Sequence, residues 1–313
     1  MTKTETAKPK KQLRGFAYDL RHNKWLLAMS VPGLICIILF NYIPMGGLAI
    51  AFQDYSLFLG IKGSTWVGFD NFARFFKDPY FFRILKNTFL LGLYSLLWSF
   101  PAPIILALAI NEVKSTAFKK VTQTLTYLPY FISTVIIVGI MRALFASSGG
   151  IVNTVIVALG GEAIAFFNEP RWFRSLYIGS SIWQGMGYNS IIYLAAITGI
   201  DPQFYEAAKI DGASRMCCIR KITIPCILPT IAVLLTMSFG SILSVGFEKI
   251  LLMYGPATYE VADVISTYTY RMGMLQQDFG YSSAVGMFNS VVAVILLMLG
   301  NWFSKHVLGE SLW

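Results

Sequence analysis

Residues Trp183-Gln184-Gly185-Met186-Gly187-Tyr188-Asn189-Ser190 place an indole, two amides, a phenol and a hydroxyl within about two helical turns of an otherwise apolar stretch. Gln184 and Tyr188 are four apart and share a helix face, with Asn189 beside it. Neutral amides donate and accept hydrogen bonds, which suits sugar hydroxyls. The rings of Trp183 and Tyr188 suit the apolar face of a sugar ring, and Gly185 and Gly187 permit close backbone approach. The same residues suit interhelical packing and hydrogen bonding equally well, so substrate pathway and packing both stay open for this cluster.

Covalent and acid–base chemistry finds no comparable constellation. His22 and His306 lie in the basic ends, and no paired carboxylates or metal-ligand cluster occur. Lys62-Gly63-Ser64 lacks the preceding glycine spacing of a phosphate loop. Cys36, Cys217, Cys218 and Cys226 form no C-x-x-C pair and read as ordinary reduced thiols. No catalytic residue, metal or cofactor is expected in this chain, and any energy source must reside elsewhere.

The polar cluster needs elements that hold it inside an apolar medium. The chain has 313 residues, of which 56% are hydrophobic and 13% charged, against about a quarter charged in soluble domains. Six stretches reach the length of about 20 apolar residues that crosses a bilayer: 25–51, 87–110, 122–145, 175–199, 224–247 and 281–303. The net charge of +9 is spread over the connections between them, a pattern of membrane orientation rather than of nucleic-acid binding. With the N-terminus inside, segments 1–24, 111–121, 200–223 and 304–313 hold 7, 3, 4 and 1 Lys or Arg, whereas the longer outer segments 52–86, 146–174 and 248–280 hold 5, 2 and 2. The inner density is more than twofold higher, which places both termini in the cytoplasm. The expected organisation is a cytoplasmic basic segment 1–24, an all-α six-helix transmembrane domain 25–303 and a cytoplasmic tail 304–313. Outside the membrane, 66–88 reads as an amphipathic interfacial helix, and Glu248 with Lys249 as an interfacial ion pair beyond the fifth span.

Between the fourth and fifth spans lies IDPQFYEAAKIDGASRMCCIRKITIPCILPT, residues 200–230. Asp201 is a good N-cap and Pro202 fits the first helical position. Phe204, Ala207 and Ala208 fall near one face, and Gly212 supplies the backbone freedom to end the helix. A second short helix is predicted over about 213–221, Pro225 fits the opening turn of the fifth span, and Pro229 should kink it. The result is a helix–Gly–helix elbow that buries its own small and aromatic residues, and such an elbow is either a rigid knob offered to a cytoplasmic partner or only a compact loop.

Glu206-Ala207-Ala208, then Gly212, then nine residues to Ile222 with Pro225 beyond, resembles the EAA loop of ABC importer permeases. Asp211-Gly212-Ala213 and Pro229 match its longer form in sugar importers, while Ile219 stands where many members have an aromatic. Pro44-Met45-Gly46, Phe52-Gln53-Asp54-Tyr55, LPYFIST at 128–134, GIVN at 150–153 and the terminal SLW extend the likeness to the oligosaccharide and polysaccharide permeases. The resemblance implies that 200–223 is the coupling loop, seated on an ATP-hydrolysing subunit through Glu206, Ala207, Ala208, Asp211, Gly212 and Pro225. It further implies a second homologous permease, two ATPase subunits that bind ATP and Mg, an extracellular solute-binding protein or lipoprotein, an oligosaccharide substrate and a bacterial cell membrane. The alternatives are an ABC permease for a non-sugar solute and an ion-coupled secondary transporter. The latter normally needs intramembrane charges or repeat symmetry, for which Arg142 and a few boundary groups are nearly all the chain offers.

Overall fold

The computed structural model describes residues 24–309; the basic leader with His22 and the last four residues, including SLW, lie outside the described residues. Among those described, the regular structure is helical apart from a small antiparallel hairpin, β1 (Gln53–Asp54) with β2 (Thr65–Trp66). Helix dominates because a backbone in hydrocarbon has only itself to bond with. Four helical runs are long and apolar enough to cross a membrane: Leu27–Phe52, Phe81–Glu112, Arg215–Gly240 and Phe279–His306. Their faces leave Phe40, Trp98, Ile105, Val294 and Trp302 exposed, the outward surface of a bundle that water does not solvate.

Three of these runs pass through prolines without breaking. The first contains α1 (Lys24–Ile37) and a π turn at Ile38–Tyr42 ahead of Pro44. The second joins α2 (Phe81–Tyr94) to α3 (Pro101–Glu112) through a π turn at Ser95–Ser99. A short amphipathic helix, Asp70–Lys77, precedes it. In each case the proline ring would meet the carbonyl four residues back, which is Phe40 or Leu97. That carbonyl lies inside the wider π turn, where the bonding runs to the fifth residue instead.

The third expected span, 122–145, is not one helix. Thr116–Phe131, comprising α4 (Thr116–Tyr127) and a 3-10 turn at Leu128–Phe131, meets α5 (Thr134–Leu144) at 100°. Pro129 ends the regular ladder, Ile132 is extended, and Ser133 restarts the helix by accepting the Ile136 N–H at 3.4 Å. After a short α6 (Ile151–Ala158), the fourth expected span is α7 (Pro170–Thr198), 29 residues and about 43 Å long. Its length suffices to cross, but its polar cluster lowers its hydropathy and keeps it out of the strongly apolar set.

α7 is the strut of the bundle. It packs along α3, where Ala107, Ile110, Tyr193, Leu194 and Ile197 form one core. A second core unites Leu91, Ile137, Phe173 and Tyr177 with Ile250 and Val264. At this end, far from the 200–223 elbow, polar ties hold the long connections. Asp78 accepts from the hydroxyls of Tyr268 and Tyr281, and Arg74 pairs with Asp278 at 2.6 Å. Buried Asp263 is held by Arg271 at 2.7 Å, with Arg83 at 3.8 Å.

Close helix approach is built on glycine. A Cβ added to Gly187 would stand 1.9 Å from the Thr126 carbonyl oxygen on α4, whereas one on Gly179 of the same helix meets nothing within 4 Å. Gly187→Ala is therefore expected to lower the thermal midpoint of the detergent-purified protein, overpacking costing about 1–3 kcal/mol. Gly179→Ala should hold or raise the midpoint, since alanine is the better helix former by about 1 kcal/mol. Equal midpoints for the two variants would contradict the α4–α7 contact.

Candidate functional site

Two features stand out at opposite ends of one helical rod. The first is the elbow. α8 (Pro202–Ile210) opens with Asp201, whose carboxylate accepts the Gln203 N–H at 2.9 Å, and with Pro202 at its first position. It closes with the Ala213 N–H on the Ala208 carbonyl at 2.9 Å and the Gly212 N–H on Lys209 at 3.1 Å. This crossed pair is the Schellman arrangement, and it requires the left-handed φ of +75° found at Gly212. Ser214 then caps α9 (Arg215–Cys218) by accepting from Cys217. Tyr205 and Thr223 hydroxyls, 2.9 Å apart, bolt α8 to the base of the rod.

The local signals at Asp201, Pro202 and Gly212 thus act as their residue types dictate, but the predicted burial does not occur. No residue of α8 is buried. Glu206, Ala207 and Asp211 are exposed with Phe204, and Ile210 is 87% exposed. The elbow turns acidic and apolar groups outward together. The second short helix also differs from expectation. α9 continues through a π turn at Ile219–Thr223 into α10 (Ile224–Gly240), one rod over Arg215–Gly240. Pro225 is therefore not the start of the fifth span. The π turn frees the Lys221 carbonyl with which its ring would collide.

The second feature is a cavity of about 540 Å³ where the far end of that rod meets α7 and the π turn of the second run, a size typical of small-ligand sites. Ser95, Ser99, Ser238, Ser241 and Ser244 give it hydroxyls, with Tyr177, Asn189 and Tyr193 on the α7 side. Ser99 Oγ is buried without a hydrogen-bond partner, a donor and acceptor held ready. These serines went unnoticed in the sequence. Yet Ser95 and Ser99, and likewise Ser238 and Ser241, have the spacing that puts side chains on one helix face.

Of the four pathway candidates, Asn189 lines the cavity and the other three do not. Gln184 donates to the Ile132 carbonyl at 3.4 Å, at the break in the bent span. Tyr188 stacks on Tyr130 with ring centres 3.9 Å apart and planes within 5°. Trp183 is 46% exposed and stands apart from the cavity wall. The expected Glu248–Lys249 ion pair is absent among the described residues. Neighbours on α11 (Phe247–Met253) point about 100° apart, leaving Glu248 exposed and Lys249 buried with its Nζ donating to Ser181 at 3.0 Å. Arg142 is structural. It donates to the Leu252 carbonyl at 2.7 Å and lies over the Phe167 ring.

An apolar-faced bundle with interrupted helices, a hydroxyl-lined cavity and an exposed elbow at one end fits a multi-pass membrane permease subunit. The chain belongs to the family of binding-protein-dependent transport system inner membrane components, which matches residues 99–309. It is 46% identical to the polygalacturonan/rhamnogalacturonan transport system permease protein YteP of Bacillus subtilis over 97% of this chain and 95% of that one. It is 44% identical to protein LplB of the same organism, over 94% and 92%. A bacterial alginate ABC transporter, solved in complex with an alginate pentasaccharide-bound periplasmic protein, contains a chain with TM-score 0.87 and 44% identity, covering 95% of this chain and 99% of that one. The chain is a permease component of an ABC importer, a transport subunit and not an enzyme.

The division of α7 into packing and cavity positions has a measurable consequence. Tyr188→Ala should lower the thermal midpoint, the lost ring stacking alone costing about 0.5–1.5 kcal/mol. Asn189→Ala, which removes no hydrogen bond among the described residues, should leave the midpoint within error. The opposite order of effects would place the wall of the cavity wrongly.

Proposed function

We propose that this chain forms, with a second homologous permease, the bilayer passage for an oligosaccharide handed over by an extracellular solute-binding protein or lipoprotein. In this reading the bent pair and α7 serve as the third and fourth of six spans, both termini are cytoplasmic, and the protein resides in a bacterial cell membrane. Two ATPase subunits bind ATP and Mg; this chain holds no cofactor. The sugar cargo is supported by the relatives' stated substrates and by a cavity whose serine hydroxyls and Asn189 amide match sugar hydroxyls.

The observation that carries the reading is the rod. Glu206 and the exposed apolar residues of the elbow form a compact surface for an ATPase, and the helix leaving that surface runs unbroken to the serines of the cavity wall. Displacement of the elbow by ATP binding or hydrolysis in the partner therefore moves the wall against which the sugar rests. Glu206 supplies a charged contact across the docking surface. Gly212 fixes the angle at which α8 meets the rod. Ala207 keeps the contact face low, Asp211 stands exposed at the turn, and Pro225 with its π turn keeps the rod continuous.

Glu206→Lys should insert into the membrane normally, because the side chain is exposed. It should weaken ATPase association by about tenfold or more and abolish substrate-stimulated ATP hydrolysis and uptake; a tenfold loss corresponds to about 1.4 kcal/mol. An acidic replacement of a facing base on the ATPase should restore the Glu206 variant. It should not restore Gly212→Val, whose defect is the left-handed backbone. A Glu206→Lys complex that assembles and pumps at the wild-type rate would remove the elbow from the coupling path.

A further inference from the structure

Asp263 and Lys249 are the two buried charged residues among those described. Asp263 has Arg271 and Arg83 as partners. Lys249, only 6% exposed, has no carboxylate oxygen within 4.0 Å, and the single acceptor for its ammonium is Ser181 Oγ at 3.0 Å. Ser181 in turn donates to the Tyr177 carbonyl, and Lys249 Nζ lies 5.7 Å from the centre of the Tyr177 ring. Tyr177 is a wall of the serine-lined cavity, and its hydroxyl accepts the N–H of Gly246, another wall residue. The ammonium thus stands one side chain behind the cavity.

Among the described residues no ion pair neutralises that charge. The charged group that α5 brings to the Lys249 helix is Arg142, a second cation, which donates to the Leu252 carbonyl. From α7 come Tyr177 and Ser181. From α12 (Ile265–Tyr270) comes Tyr270, whose ring meets that of Phe247. Glu248, on the same helix as Lys249, is exposed and turned away. A buried ammonium with one neutral acceptor is costly to retain without a counter-charge, and in a weakly polarisable surrounding its field reaches across an aromatic ring.

We propose that Lys249 makes the cavity selective for carboxylate-bearing sugars, oligomers of uronic acids, by attracting each carboxylate across the Tyr177 ring as it passes. The inference rests on the cavity being the route of an oligosaccharide and adds the charge of that cargo. Lys249 acts as a specificity determinant through its field rather than through a bond to the sugar. Since α11 lies beyond the end of the fifth-span rod, its titration bears on the test. Burial holds the Lys249 ammonium down to about 8, so the charge is present at neutral pH and is lost above about pH 8.

The test uses the complete transporter with its ATPases and binding protein in proteoliposomes, offered galacturonate and mannuronate–guluronate oligomers and matched neutral glucose and xylose oligomers. Wild type is expected to take up a uronate oligomer. Lys249→Met should reduce that uptake about tenfold at pH 7 with assembly and basal ATP hydrolysis unchanged, and Lys249→Arg should retain it. Between pH 7 and 9 the wild type should fall towards the Met variant while the Arg variant, which keeps its charge, should not follow. Uptake of neutral oligomers alone, a Met variant within twofold of wild type, or a parallel decline of wild type and Arg variant would each overturn the charge assignment. Uptake of no oligosaccharide at all would instead overturn the proposed cargo on which it rests. Should the Met variant fail to assemble, the comparison of wild type and Arg variant across pH still decides.

Discussion

Backbone amides and carbonyls have no water to turn to inside a bilayer, and every interruption of a helix there must be answered by another group of the protein. In this chain the answers come largely from one face of α7. Gln184 reaches the Ile132 carbonyl at the break of the bent helix pair, and Tyr177 accepts the Gly246 N–H where the chain turns after the Arg215–Gly240 rod. Ser181 receives the ammonium of Lys249 just beyond that turn. The polar stripe on α7 permits irregular backbone on two sides of it, and irregular backbone is what leaves room for a cavity. Gly187, set against the Thr126 carbonyl, brings the bent span close enough for this to work.

This dependence explains how far the residues could be read without the fold. Signals that act within a few positions were legible: the Asp201 cap, Pro202 at the first turn and the left-handed Gly212 each determine geometry through groups no more than five residues away. Hydropathy found most of the long runs, because apolar length is summed over a window. The same sum is blind to direction and could not see the 100° turn between Phe131 and Thr134. Residue type also placed Pro225 at the opening turn of a span, because the relief of the ring–carbonyl clash by a π turn is a property of the backbone and not of composition.

For the candidate site the division is sharper. Chemical type drew attention to α7, but type cannot say whether an amide faces a sugar or an orphaned carbonyl. Gln184 and Tyr188 meet neighbouring helices, Asn189 meets the cavity, and one residue of helical rotation separates those outcomes. Lys249 beside Glu248 read as an ion pair from adjacency alone, whereas a helix sends adjacent side chains apart. The serines were passed over individually because serine is common, and their meaning comes only from three elements converging on one space.

The rod that joins elbow and cavity has an angular as well as a linear aspect. Each residue of an α-helix advances the azimuth by about 100°, and the π turn at Ile219–Thr223 inserts a fixed offset into that count. The direction in which Ser238 and Ser241 face is therefore phase-locked to the direction in which the elbow leaves the bundle. A deletion or insertion of one residue anywhere between Arg215 and Gly240 would turn the hydroxyls towards a neighbouring helix or the lipid, even if hydropathy and helix content were untouched. The chain can drift in side-chain identity along this rod far more freely than in its length, and descendants that keep the transport geometry must keep the residue count between the bend at Gly212 and the cavity serines.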